Sequence, residues 1–313
     1  MKSRKILLTF LSVLLAFGVT SGQSKDEYWK RYRLEASFGI GPSMFLGELG
    51  GGATSGSQNL KDLNFLSTRY AISGAFRYKF TRFLALKTSL IYGRLYGADR
   101  FSADFYRNNR NLDFRSGIFE ASTTIELGLG NEGLGHRYRL KGVFGRNAFQ
   151  VYTYLFAGVG MFHFNPQGSY QGKWYDLPPL STEGEGVLVT RDPYHLWQMC
   201  IPLGIGFKYT LDQRWGFGLE IGYRTTFTDY IDDVSQTYPD MAQLREVKSD
   251  LAFQLSDKSV QRYPAITAGG QQRGNPVNTD SYIFAFINLN YRINTGKIYR
   301  FKSDYYKDIS PLF

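Results

Sequence analysis

Between residues 196 and 227 the chain reads LWQMCIPLGIGFKYTLDQRWGFGLEIGYRTTF, alternating apolar positions with small or polar ones on either side of a short polar break. Trp197, Met199, Ile201, Leu203, Ile205, Phe207 and Tyr209 share one face; Gln198, Cys200, Pro202, Gly204, Gly206 and Lys208 share the other. After the break Trp215, Phe217, Leu219, Ile221, Tyr223, Thr225 and Phe227 alternate with Gly216, Gly218, Glu220, Gly222, Arg224 and Thr226. A period of two belongs to a strand, whose side chains point to opposite faces in turn. The segment therefore predicts a hairpin. Its second face, glycine with isolated charges, cannot build an apolar core but suits the crowded polar inside of a small closed barrel. Its first face, aromatic near the ends and aliphatic between, has the pattern of a lipid-facing band.

The alternation recurs along the chain and predicts eight strands: 31–41, 70–80, 83–96, 115–130, 149–162, the two of the hairpin, and 281–293. Tyr32, Phe38, Ile40, Phe76, Leu90, Ile125, Val159, Ile283 and Ile287 are among the positions expected to face outward. The predicted fold is all-β, an eight-stranded antiparallel transmembrane up-and-down barrel with long extracellular loops. An even number of strands leaves both termini on one side, here the periplasm. Short joins at 81–82 and 212–214 mark that side, and the long joins 42–69, 97–114, 163–195 and 229–280 mark the other. Pro202, inside a strand with neighbours on both sides, removes a ladder hydrogen bond and predicts a bulge or an open rung.

The start of the chain supplies an address. Lys2, Arg4 and Lys5 precede an apolar run at 6–19, followed by Thr20, Ser21 and Gly22. This reads as a secretory signal peptide over 1–22, leaving a barrel over 23–293 and a periplasmic tail over 294–313. The localisation expected is the outer membrane of a Gram-negative bacterium. Tyrosine (23) and phenylalanine (25) are abundant, and apolar residues reach 43%, while mean hydropathy is negative. One cysteine excludes an internal disulfide framework. The net charge of +10 includes the three basic residues of the signal and shows no aromatic-interleaved basic stripe, so nucleic acid is not expected.

The expected lumen gathers Arg33, Arg77, Lys79, Lys87, Lys208, Arg224 and Arg292 with Glu35, Glu120, Glu126 and Glu220. Eight strands enclose a space that side chains can fill, and buried charges must pair. A plugged interior follows, with a narrow anion path along the positive surplus as the alternative. Two basic segments fall on the periplasmic side: Arg137, Arg139, Lys141 and Arg146 in the join at 131–148, and Lys297, Arg300 and Lys302 in the tail. They read either as solvated extensions or as a docking face for a partner. Asp229, Asp232 and Asp233, in TDYIDDVS, sit where the seventh strand ends; calcium needs six to eight oxygens and this run alone offers few, so a solvated loop base is expected and no metal is assigned. His136, His163 and His195 are scattered, no nucleophile lies beside a base, and neither catalytic residues nor a cofactor is expected.

Several motifs carry a resemblance: LFAGVGMFHFNP at 155–166, WYDLPPLSTEGEG at 174–186, IPLGIGFKY at 201–209, TTFTDYIDDVS at 225–235 and RGN at 273–275. Together they resemble the DUF6089 family of Bacteroidota outer-membrane barrels, which includes the PorG-like component of the type IX secretion system. The resemblance implies a non-enzymatic barrel that lies in outer-membrane lipid and anchors or positions a periplasmic ring of PorK- and PorN-type proteins. The other function considered is a small transporter or receptor barrel that binds a ligand through its outer loops.

Overall fold

The computed structural model describes residues 28–49, 65–102, 104–130, 132, 151–188, 190–260 and 264–295. The expected signal segment, all but Glu132 of the join at 131–148 and the residues beyond Thr295 lie outside the described residues, and with them Arg137, Arg139, Lys141, Arg146, Lys297, Arg300 and Lys302.

Nine strands form one sheet: β1 (Leu34–Leu46), β2 (Arg69–Lys79), β3 (Leu84–Ala98), β4 (Asp113–Gly128), β5 (Val151–Tyr170), β6 (Lys173–Asp176), β7 (Trp197–Thr210), β8 (Trp215–Thr226) and β9 (Ser281–Ile293). Every barrel strand pairs antiparallel with its chain neighbour, and the β1–β9 pairing closes the ring. β6 stands outside that ring, added to the long end of β5. The result is a closed eight-stranded antiparallel barrel. Its tight turns are set by single side chains: Thr81 Oγ1 accepts from the Phe83 and Leu84 amides (3.2 and 2.9 Å), and Asp212 Oδ1 from those of Arg214 and Trp215 (2.7 Å each).

Closure satisfies the backbone within the sheet, so the outer face is free to be apolar. Phe38, Ile40, Phe76, Leu90, Ile125, Val159, Met161, Leu203, Ile221 and Ile287 all stand exposed on it. Aromatic rings gather toward the strand ends, with Trp215 against Tyr291 (4.8 Å between centroids) and Trp197 against His163 (5.1 Å). This belt makes the molecule a membrane-spanning barrel.

Pro202 opens a rung without a bulge. The β5–β7 pairing runs to Ala157↔Leu203 and resumes in the same register at Gly160↔Cys200, while Pro202 still pairs with Arg224 on β8. Pro42 repeats the device. β1 was expected to stop at residue 41, yet it continues to Leu46, and its pairing with β9 steps from Ile40↔Ile287 to Ser43↔Phe284 in unbroken register. A proline lacks the donor for one neighbour only, so a closed sheet tolerates it at the cost of a single rung.

Three other expectations are corrected. β5 outruns its predicted end at 162 and turns back into β6 through Gln171 and Gly172, both at positive φ (49° and 77°), the signature of a two-residue hairpin turn. Tyr32 precedes β1 and is buried, its hydroxyl donating to Gln213 (3.4 Å). Ile283 is buried too, because the loop end of β9 is covered on both faces.

Candidate functional site

The lumen has two storeys. Toward the short turns it is charged. Glu35 accepts Lys208 Nζ on both oxygens (2.8 and 2.9 Å), pairs with Arg77, and lies 3.6 Å from Arg292. Arg77 also holds Glu126 and reaches the Tyr154 hydroxyl (3.2 Å), which donates to Glu220 (2.9 Å); Lys87 meets the same Glu220 (2.6 Å). Further in, Glu120 accepts from Arg224 (3.2 Å) and from the Tyr282 hydroxyl (3.0 Å). Ten of the eleven charges expected in the lumen are therefore there. Arg33 is the exception: it lies at the rim and stacks over Trp29 (5.2 Å).

Glu132 was missed. It folds back into the barrel and pairs with Lys79, Lys208 (3.3 Å) and Arg292 (2.7 Å). Its signal was in the pattern, since Glu132 continues the even-numbered inner face of β4 beyond the last strand residue. Among the described residues, with Glu132 counted and Arg33 removed, the expected surplus of seven cations over four acids becomes six over five.

Toward the long loops the lumen is aromatic, which the polar reading of the inner face did not anticipate. Phe162, Tyr282 and Phe284 pack edge to face (5.5 and 5.2 Å), Phe45 and Phe114 likewise (4.7 Å), and Cys200 is buried with them. Some inner glycines leave room for rings in both storeys. A Cβ at Gly93 would meet Phe284, and one at Gly206 would collide with Tyr154. At these positions glycine is space for an aromatic partner, and the described inward side chains of both storeys of the barrel are largely buried.

Above it the loops form a packed cap around Arg273, which is 3% exposed. Its Nη1 donates to Glu183 (2.9 Å) and to the Asp233 carbonyl (2.6 Å), and its Nε to the Ser256 carbonyl (3.3 Å). Glu183, fully buried, accepts the Ser235 and Gln236 amides (3.0 and 2.9 Å). Asp233 adopts φ 64° and accepts from Tyr194 (2.5 Å) and Thr182. Next to Arg273, Gly274 lies so close to Ser235 that a Cβ would sit 2.6 Å from its backbone. The RGN, STEGEG and DYIDDVS motifs, far apart in sequence, meet here.

The expectation that Asp229, Asp232 and Asp233 are solvated is overturned, since all three are buried under the cap. Asp229 and Asp232 stand with Glu48 and Asp280, two residues the sequence reading did not select. Burial, then the charges of Glu48 and Asp232, push Asp229 up to about 10, and burial likewise raises Glu48 to about 7. Asp280 continues the even-numbered inner face of β9, a signal that parity could have supplied. Glu48 has no such signature.

Glu185 shares the Arg273 pocket, where burial and the charges of Asp233 and Glu183 raise it from 4.5 to about 8. A carboxyl raised on folding stabilises the cap fully below about pH 4.5, and that contribution is lost as pH rises to about 8. Glu185→Gln is expected to leave protease cleavage of the 229–280 loop unchanged at pH 4.5 and to slow it about tenfold or more at pH 8. Equal rates at pH 8 would refute a proton held there.

Fold comparison places small outer-membrane barrels beside this chain. The N-terminal β-barrel domain of Pseudomonas aeruginosa OprF aligns over 84% of this chain and 98% of its own, at 10% identity and TM-score 0.33. Neisserial surface protein A aligns over 83% and 97% (8% identity, TM-score 0.37), and Ail of Yersinia pestis over 84% and 99% (8%, 0.37). No family model matches the sequence, and no curated protein does.

Proposed function

We propose that this chain is an outer-membrane barrel of a Gram-negative bacterium, its short turns and both termini in the periplasm, that anchors the periplasmic ring of the type IX secretion machinery. The observation that carries the reading is the packed interior. Paired charges fill one half of the lumen, aromatic rings fill the other, and the cap covers the mouth. A barrel filled in this way is a fixed body in the membrane, and its use lies in the surfaces at its ends. Of the motifs that resemble the PorG-like barrels, those at 155–166 and 201–209 lie in β5 and β7, and those at 174–186, 225–235 and 273–275 reach the cap, which supports common architecture across most of the chain. The contact with ring proteins of the PorK and PorN type falls to two basic segments, Arg137, Arg139, Lys141 and Arg146 in the join at 131–148 and Lys297, Arg300 and Lys302 in the tail.

The test is a mild-detergent pull-down of the tagged barrel from its native envelope, beside a variant with Arg137, Arg139, Lys141 and Arg146 changed to serine. Ring lipoproteins are expected with the parent and reduced about tenfold or more with the variant, the loss that follows when several charge contacts go together. Equal recovery moves the contact elsewhere on the barrel. No ring protein with either sinks the anchor and favours the second reading, a receptor whose packed cap presents a ligand surface.

A further inference from the structure

Glu48, Asp229 and Asp280 each offer a carboxylate oxygen, and these oxygens all lie within 4.8 Å of one another. Proximity of acids alone would mean little. What singles these out is how their oxygens are used. Asp280, fully buried, accepts the Ile231 amide on Oδ2 (2.9 Å), while its Oδ1 has no hydrogen-bond partner. Glu48 accepts the Asn275 amide on Oε1 (3.3 Å), and its buried Oε2 has none. Asp229, 8% exposed, has no partner on either oxygen; the Ser235 hydroxyl lies close without completing a bond. Among the described residues five buried carboxylate oxygens lack a hydrogen bond, and four of them meet in this one place.

Buried carboxylate oxygens without donors must either hold a proton or face something positive, and a cation that binds here displaces those protons. No lysine or arginine among the described residues forms an ion pair with the three. Arg110, whose charge reaches Glu48, is itself paired with Asp99 (2.7 Å), and Arg273 is paired with Glu183 (2.9 Å). Neighbouring groups hold the carboxylates in place. Asp232 accepts the amides of Leu49 and Val234 (3.0 Å each), fixing the end of β1 beside Glu48 against the loop that carries Asp229. Gly47 keeps the approach to Asp280 Oδ1 clear, for a Cβ there would run into that oxygen.

We propose that Glu48, Asp229 and Asp280 bind one calcium ion under the cap, Asp229 through both oxygens and the others through one each. An all-oxygen, carboxylate-rich set selects a hard cation. Calcium–oxygen distances of about 2.3–2.6 Å span oxygens set up to 4.8 Å apart, and water or backbone carbonyls complete its six to eight ligands. Magnesium, at about 2.0–2.1 Å and octahedral, would need a tighter set. The ion ties β1, the start of the 229–280 loop and the start of β9 together at one point. The proposal does not depend on the anchor reading.

The test uses the full-length barrel purified in detergent, stripped with chelator and titrated calorimetrically with calcium chloride, then with magnesium chloride. One calcium per barrel is expected, with a Kd of about 10⁻³ M or tighter, and magnesium weaker. Asp229→Asn and Asp280→Asn should each weaken calcium at least about tenfold. The latter keeps a side-chain oxygen that can still accept the Ile231 amide, so folding is preserved. Heat-modifiable electrophoretic mobility verifies the barrel, and calcium should protect the 229–280 loop from protease in the parent alone. Absence of parental binding at about 10 mM, parental affinity in both variants, or tighter binding of magnesium would each overturn the assignment.

Discussion

Glu35→Ala is expected to lower the unfolding free energy of the detergent-folded barrel by about 3–5 kcal/mol, the usual cost of removing one partner from a buried ion pair. Glu35 is fully buried and faces three cations, Arg77, Lys208 and Arg292, so its loss leaves positive charges together inside the lumen. Urea titration followed by tryptophan fluorescence and electrophoretic mobility gives the number. The double variant Glu35→Ala, Lys208→Met should recover part of it, because replacing both members of a buried pair by apolar groups removes the stranded charge. An exposed pair supplies the contrast. Arg245 and Asp250 are 60% and 65% exposed, and Asp250→Ala should cost no more than about 1 kcal/mol. A loss below about 1 kcal/mol for Glu35→Ala would mean that water reaches the network.

That barrel was readable because a strand's period is two and lipid enforces it. A residue facing hydrocarbon must be apolar and its neighbour must not be, so parity placed Glu35, Arg77, Lys87, Glu120, Glu126, Lys208, Glu220, Arg224 and Arg292 inside before any contact was known. Parity fails where the lipid ends. Ile283 keeps the outward parity and is nonetheless buried, since loop residues take the place of lipid around it. β1 passes through Pro42 because the neighbour it fails is only one of two, a fact of pairing that no single strand's sequence contains.

The cap was legible only as motifs without a reason. Glu183 and Arg273 are ninety residues apart, and nothing in either segment names the other. Asp229, Asp232 and Asp233 looked solvated because charged runs in loops usually are. Their burial depends on Glu48, Asp280 and the Arg273 pocket arriving from three other segments. The glycines were read correctly as tokens of crowding, but the rings that crowd them, such as Tyr154 against Gly206, come from strands elsewhere in the ring.

Arg273→Ala is expected to open the cap while leaving the barrel intact. Arg273 joins the connection after β6, through Glu183, to two points of the connection after β8, the Asp233 and Ser256 carbonyls. Removing it strands Glu183, which is fully buried, at a cost of about 3–5 kcal/mol to the cap alone. Hydrogen exchange is the sensitive measurement, because the Ser235 and Gln236 amides donate to Glu183 and report opening directly. Their exchange should accelerate about 10²–10³-fold at fixed pH, each factor of ten corresponding to about 1.4 kcal/mol. Amides in β2 and β3, on the short-turn side, should not change. Arg273→Lys keeps the charge, but its donors radiate from one nitrogen and cannot occupy both the Nη1 and the Nε positions, so it should fall between the parent and the alanine variant. Unchanged Ser235 exchange in Arg273→Ala would mean that the loops hold together without this pairing, and acceleration throughout the barrel strands would mean that cap and barrel unfold as one unit.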